Sequence, residues 1–229
     1  MPKRPAGELL EILATLKRTT AVAPVPTEPF QMILWENIGY LVDDDRRRRL
    51  FDDFSEEVGL SPEAIDRASE AALLSRARLG GMRPEVRVQR WREIARLIRE
   101  RADGDLDAAL RALPVPKARA LLKTFPVIAD PGADKILLFS GIAPRPALES
   151  NGLRTLVRLG FCAEQKFYDA SYKAGIEVLL AAGLAGSERL MDAHQLLREH
   201  GKTLCRRGEP LCVACPLSQT CPQAPVSIL

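Results

Sequence analysis

No apolar run in the 229-residue chain approaches the roughly 20 residues needed to span a bilayer, so a membrane protein is not expected. Nor is a secretory leader expected. Met1 to Arg18 starts basic but passes directly into an amphipathic helical pattern, without a long apolar stretch or a small-residue cleavage site, and the expectation is a cytoplasmic protein. Alternation of apolar and polar residues with β-branched enrichment never persists beyond a few positions, which argues against strands. There is no repeat of roughly 20–50 residues and no low-complexity linker, although the proline-rich Ala21 to Phe30 can join two lobes. Nor does one sign of charge dominate: 33 basic and 30 acidic side chains leave a net charge of +3. Any nucleic-acid surface must therefore be a local patch.

What is abundant is helix signal, over a length sufficient for one large domain or two small ones. Ser61 caps and Pro62 opens a helix whose good formers run from Ala64 to Arg78 before Gly80 and Gly81 stop it. Pro84 starts another, with Val88, Trp91, Ile94, Ala95 and Ile98 at helical spacing and arginines on the other faces. Asp105 caps a short helix through Arg111, and Pro116 opens the next through Lys123. Two longer helices are expected over Ala163 to Ala182 and, capped by Ser187, Glu188 to His200. The fold class is all-α. The run Asp43 to Arg49 reads as a solvated helix face, because acids at the start and bases farther in suit the helix dipole.

Five cysteines are present, and four crowd the C-terminal region while Cys162 stands apart. Cys205, Cys212, Cys215 and Cys221 are separated by six, two and five residues. Structural zinc sites usually use two close pairs separated by a longer excursion, whereas a cubane cluster needs four thiolates wrapped around one bulky core. A winding loop suits the second better; zinc is the alternative.

From His200 to Pro222 the chain resembles the cluster loop of endonuclease III-like, helix-hairpin-helix DNA glycosylases, in which this spacing holds a [4Fe–4S] cluster. The resemblance implies a mainly structural cluster and a loop whose basic residues, here Arg206 and Arg207, contact the DNA backbone. Leu121 to Phe139 is similar to the family's helix-hairpin-helix element. There, a Leu-Pro-Gly-x-Gly turn points backbone N–H groups at a phosphate. Val127 and Ala129 stand where those glycines would be, with Gly132 nearby, so the expected DNA-binding positions are Val127, Ala129 and Gly132. A bulky residue in a left-handed conformation costs about 1–3 kcal/mol, and the turn must be reshaped or strained.

The same alignment puts Pro131 where bifunctional members carry a nucleophilic lysine. Without an amine there, the resemblance implies hydrolysis of the glycosidic bond with weak or absent strand cleavage. Lys135, one turn later, is either a displaced substitute or a lysine on an exposed helix face. Ala147 to Arg154 resembles the segment bearing the family's essential aspartate, and Glu149 takes its place as the catalytic candidate. A carboxylate there stabilises oxocarbenium character on the sugar and orients water, although glutamate is one methylene longer. Upstream, Pro29 to Leu34 resembles the first barrel helix, and Leu41 falls nearest the glutamine that fills the space of a flipped base. Trp35, Asn37 and Tyr40 are the candidate base pocket, with Glu36 in the same polar-aromatic group.

The resemblance thus implies two helical lobes: a barrel lobe over residues 28–145 with the helix-hairpin-helix at 117–141, and a second lobe from 1–27 and 146–229 carrying the cluster loop 205–221. It implies a base-excision repair DNA N-glycosylase, monofunctional and monomeric. Its substrate would be double-stranded DNA with a damaged or mismatched base, and in a bacterium it would be nucleoid-associated. The alternative is a lesion- or structure-recognising DNA-binding protein without effective catalysis.

Overall fold

The structure, a computed structural model, describes residues 4–224; Met1 to Lys3, the basic start of the N-terminal stretch, lie outside the described residues. Among the described residues all regular structure is helical: α1 Leu9–Thr19, α2 Pro29–Asn37, α3 Asp44–Glu57, α4 Pro62–Arg67, α5 Glu70–Leu79, α6 Pro84–Ala102, α7 Leu106–Ala112, α8 Val115–Leu122, α9 Asp130–Phe139, α10 Ser150–Arg158, α11 Tyr168–Ala181 and α12 Ser187–Thr203, with 3-10 turns at Ala6–Glu8 and Cys212–Ala214. None of these helices is long and apolar enough to cross a membrane. The chain forms two compact units, Val25–Ile142 and the described parts of Met1–Pro24 and Ala143–Leu229.

In the unit built from Val25–Ile142, α6 is the central helix, packing on α2, α4, α5 and α7. Its periodic residues Val88, Trp91, Ile94, Ala95 and Ile98 are all buried, and Trp91 meets Phe54 edge-on at 4.7 Å. The expected helix over 64–78 is two helices. Ala68 is extended, and the Ser69 hydroxyl accepts from the Ala72 N–H at 3.1 Å, capping α5 in place of a continued ladder. The broken end of α4 is satisfied from outside: the Arg92 guanidinium donates to the carbonyls of Ile65, Asp66 and Ala68. Asp105 caps α7 as expected, accepting from Ala108 N–H at 3.0 Å.

The run from Asp43 does start a helix, with the Asp43 carboxylate accepting from Arg46 N–H at 2.7 Å. Its arginines are not simply solvated. Arg46 donates to Leu79 O, Arg47 donates to Trp35 O, and Arg48 lies over the Trp35 ring, so the charged face ties α3 to its neighbours.

In the other unit, Leu9, Ile12, Leu13 and Leu16 form the buried stripe of α1 against α12. α10 and α12 cross so closely that a Cβ on Gly201 would sit 2.3 Å from Asn151 O. The helix expected from Ala163 begins only at Tyr168, because the Ser171 hydroxyl accepts from Gln165 N–H at 2.7 Å and holds the preceding residues in a turn. Ser187 lies inside α12. The cap position is Gly186, at φ 81°, with no side-chain capping bond.

Candidate functional site

Between α8 and α9 the chain turns at Phe125–Ile128, where Ile128 N–H donates to Phe125 O at 3.2 Å with Pro126 and Val127 in the two central positions. Val127 has φ 69°, the left-handed value that the third residue of a type II turn requires and that glycine normally supplies. A β-branched side chain therefore sits where its Cβ is most crowded, and it is 57% exposed, so no burial offsets the strain. Ala129 is exposed at the N-cap of α9, and Gly132 lies in its first helical turn. That turn also holds Asp130, paired with Lys123 and, at 3.3 Å, with Arg119. The hydrogen bond from Lys123 holds the Asp130 carboxyl below the usual carboxylate range.

Asn37 ties this turn to α2. Its Nδ2 donates to Ile33 O at 2.9 Å and Pro126 O at 3.1 Å, which fixes the amide orientation and leaves Oδ1 buried without a protein donor. Beside it, residues 38–41 and 80–83 lie backbone to backbone. Tyr40 N–H donates to Gly80 O at 2.9 Å, and a Cβ on Gly80 would be 2.5 Å from Ile38 O. These two loops carry Tyr40, Leu41 and Met82 as exposed apolar side chains, with Leu41 at φ 55° and Arg83 at φ 57°. Asn37, Tyr40, Arg83, Arg90 and Val127 line one cavity of about 390 Å³. Arg87 also borders it, its buried guanidinium committed to Ala77 O and Met82 O.

Asn37, Tyr40 and Val127, nominated from separate stretches, are thus brought together, and Trp35 is not among them. It is buried, edge-on to Phe51 at 5.4 Å and under Arg48 at 4.7 Å. Lys135 is not on an exposed face either, as its ammonium is paired with Glu36 at 2.6 Å and its side chain is 16% exposed.

In the second unit Glu149 is the N-cap of α10. One carboxylate oxygen accepts from Gly152 N–H and the other from the Asn151 amide, both at 2.8 Å. Asn151 accepts in turn from Arg154 at 2.7 Å, and Arg154 also donates to Gly201 O at 2.7 Å and Cys205 O at 3.1 Å. One turn on, Arg158 donates to the carbonyls of Cys205, Arg206 and Arg207. A continuous polar chain therefore runs from Glu149 to the backbone of the cysteine loop. The sequence reading passed over Asn151, Arg154 and Arg158. Arginines one turn apart on a helix that begins with a carboxylate were the available signal, but their partners lie some 50 residues away.

All four cysteines of the loop line one cavity of about 200 Å³, with His200 and Arg158. Arg158 donates to the Cys205 thiol sulfur at 3.5 Å, and Leu217 N–H donates to that of Cys215 at 3.4 Å. Burial pushes the Cys215 thiol up. Among the described residues no three His, Cys, Asp or Glu side chains converge closely enough to hold a single metal ion. Arg206 and Arg207 are exposed on the loop, which Leu211 N–H closes onto Leu204 O at 2.9 Å.

No protein-family profile matches the chain. Endonuclease III of Sulfolobus acidocaldarius is 26% identical over 175 residues, covering 75% of this chain and 71% of that protein. A solved non-covalent endonuclease III–DNA complex superimposes with a TM-score of 0.74 at 16% identity, covering 96% of both chains. The chain has the fold of these endonuclease III structures and is similar in sequence to an endonuclease III. A thermostable thymine-DNA glycosylase shares the same fold at a TM-score of 0.74 and 13% identity, over 95% of each chain. Two features bear on the expectations from the sequence: a valine in the left-handed position of the hairpin turn, and a glutamate at the head of α10.

Proposed function

We propose that this endonuclease III-like chain is a DNA N-glycosylase that extrudes a damaged or mismatched base from duplex DNA and hydrolyses its bond to deoxyribose. The observation that carries the reading is the fixed Glu149 carboxylate, held by two donors at 2.8 Å at the head of α10. Glycosidic cleavage builds positive charge on the sugar, and an anion whose direction is already set stabilises that charge without reorganising. Two engaged oxygens retain further lone pairs, so the carboxylate can still orient an attacking water. The product is an intact abasic site. Pro131 has no amine to attack the sugar, and the Lys135 ammonium is committed to Glu36.

Duplex binding is supported by strained and exposed groups around the 390 Å³ cavity. Apolar side chains on tightly fixed loops, flanked by arginines, suit insertion between bases with phosphates held alongside. Arg206 and Arg207 supply further backbone contacts. For the cysteine loop we infer a [4Fe–4S] cluster, because four cysteines line one void of about 200 Å³ and their spacing suits a loop wound around a bulky core. Cys205, Cys212, Cys215 and Cys221 would hold it, and a cluster there would order the loop that carries Arg206 and Arg207. Equal amounts of iron and acid-labile sulfide in the purified protein are the expected result; stoichiometric zinc would contradict it.

The test of the function is a set of duplex oligonucleotides, each with one oxidised, deaminated, alkylated or mismatched base, assayed for alkali-labile abasic sites at high protein concentration. Release from at least one is expected. No release from any, with tight binding retained, would favour a lesion-recognising protein without effective catalysis.

A further inference from the structure

Along α11, Tyr168, Tyr172 and Gly175 fall at positions 0, 4 and 7, a single helix face. That face packs on α10: a Cβ on Gly175 would lie 2.8 Å from both Leu148 and Leu153, the residues flanking the head of α10. Tyr172 is buried, whereas Tyr168 is 46% exposed, so the stripe emerges from the core two turns before Gly175. The Tyr168 ring lies nearly parallel to that of Tyr172, with centroids 6.4 Å apart and planes within 17°. Burial raises its phenol above the ordinary range, and the Glu149 carboxylate adds to the rise. The preceding Phe167 is 68% exposed, and the Lys166 ammonium lies 5.4 Å over its ring.

A half-exposed aromatic ring, parallel to a buried one, thus stands on the helix that packs against the head of α10, where the proposed function assigns the Glu149 carboxylate to the sugar. We propose that Tyr168 is a base-stacking residue of this site, taking the face of an unstacked nucleobase in the nucleotide whose sugar faces Glu149. This rests on the DNA glycosylase reading of Glu149. Every base has a π-face, so an aromatic platform grips an extruded base with little regard to its identity. Discrimination among bases would then fall to other groups. The chemistry is separable from hydrolysis, because stacking requires neither the Glu149 charge nor a leaving base.

The test uses the full-length protein, its Tyr168→Phe and Tyr168→Leu variants, and two duplexes, one fully paired and one carrying a single unpaired 2-aminopurine, whose fluorescence is quenched by stacking. Wild type and Tyr168→Phe should bind the second duplex with dim 2-aminopurine. Tyr168→Leu should bind it about tenfold more weakly with bright 2-aminopurine, its affinity for the paired duplex unchanged. Equal affinity and brightness for all three proteins, parallel loss on both duplexes, or no binding by wild type would each overturn the proposal. Tyr168→Trp is the companion variant and should bind at least as tightly as wild type; weakening to the level of Tyr168→Leu would also overturn it. The two readings fail differently. Absence of excision with this fluorescence pattern intact sinks hydrolysis alone, and excision without the pattern sinks stacking alone.

Discussion

The Arg154 guanidinium donates to the Asn151 side-chain oxygen at 2.7 Å while its other contacts, Gly201 O and Cys205 O, lie at the base of the cysteine loop. Asn151 therefore acts as a hinge pin, fixed on one side by Arg154 and holding Glu149 on the other. Replacing Asn151 with Ala removes one of the two donors that aim the carboxylate. Since misplacement by about 1 Å can cost on the order of 100-fold in rate, excision should fall by about that factor with DNA affinity unchanged. Single-turnover excision and equilibrium binding check this; an unaltered rate would show that Gly152 N–H alone positions Glu149.

At the hairpin, Val127→Gly should stabilise the protein. Relief of a left-handed valine is worth about 1–3 kcal/mol, offset by about 0.5–1 kcal/mol for the greater freedom of glycine in the unfolded chain. A net gain of about 1 kcal/mol corresponds to a rise of roughly 2–4 °C in melting temperature for a chain of this size. Calorimetry that found a lower midpoint would mean that the valine methyls make contacts worth more than the strain.

Borohydride added during turnover should trap little or no protein–DNA adduct, since Schiff-base chemistry needs a free amine at the sugar. Lys135→Ala should leave both the trapping result and the abasic product unchanged while lowering stability, because it removes the ammonium paired with Glu36 at 2.6 Å. Strong trapping that vanished in this variant would make Lys135 a nucleophile.

The exposed arginines of the cysteine loop are testable through salt. Replacing Arg206 and Arg207 together should weaken binding to every duplex by similar factors and reduce the slope of log affinity against log salt by roughly 0.9 per lost contact. An effect confined to one base sequence would assign these residues to base reading.

The all-helical class and the caps at Ser61 and Asp105 were legible because each depends on residues a few positions apart. Other helix ends were less so. The hydroxyl of Ser69 breaks a run of good helix formers, and that of Ser171 delays the start of α11, in both cases by a local bond that propensity does not reveal. The crowding of four cysteines was visible in their spacing, yet the arginines that tie their loop come from α10 and meet it only in the folded chain. Lys135 shows the same limit. Helical periodicity put it on a face of α9, but that this face meets Glu36 is a tertiary fact. The strain at Val127 was foreseen from its alignment with a glycine, whereas the positive φ values of Leu41 and Arg83 had no such template and came from the close approach of two loops.

The central claim, that this chain breaks a glycosidic bond with Glu149, is tested most directly by single-turnover base excision with Glu149→Gln on a duplex the wild type cuts. Glutamine keeps the size and can still accept from Gly152 N–H, but it removes the charge. The account predicts excision reduced at least about 100-fold, in the range seen when one electrostatic stabiliser is lost, with duplex affinity intact or improved. Unchanged excision by this variant would contradict it.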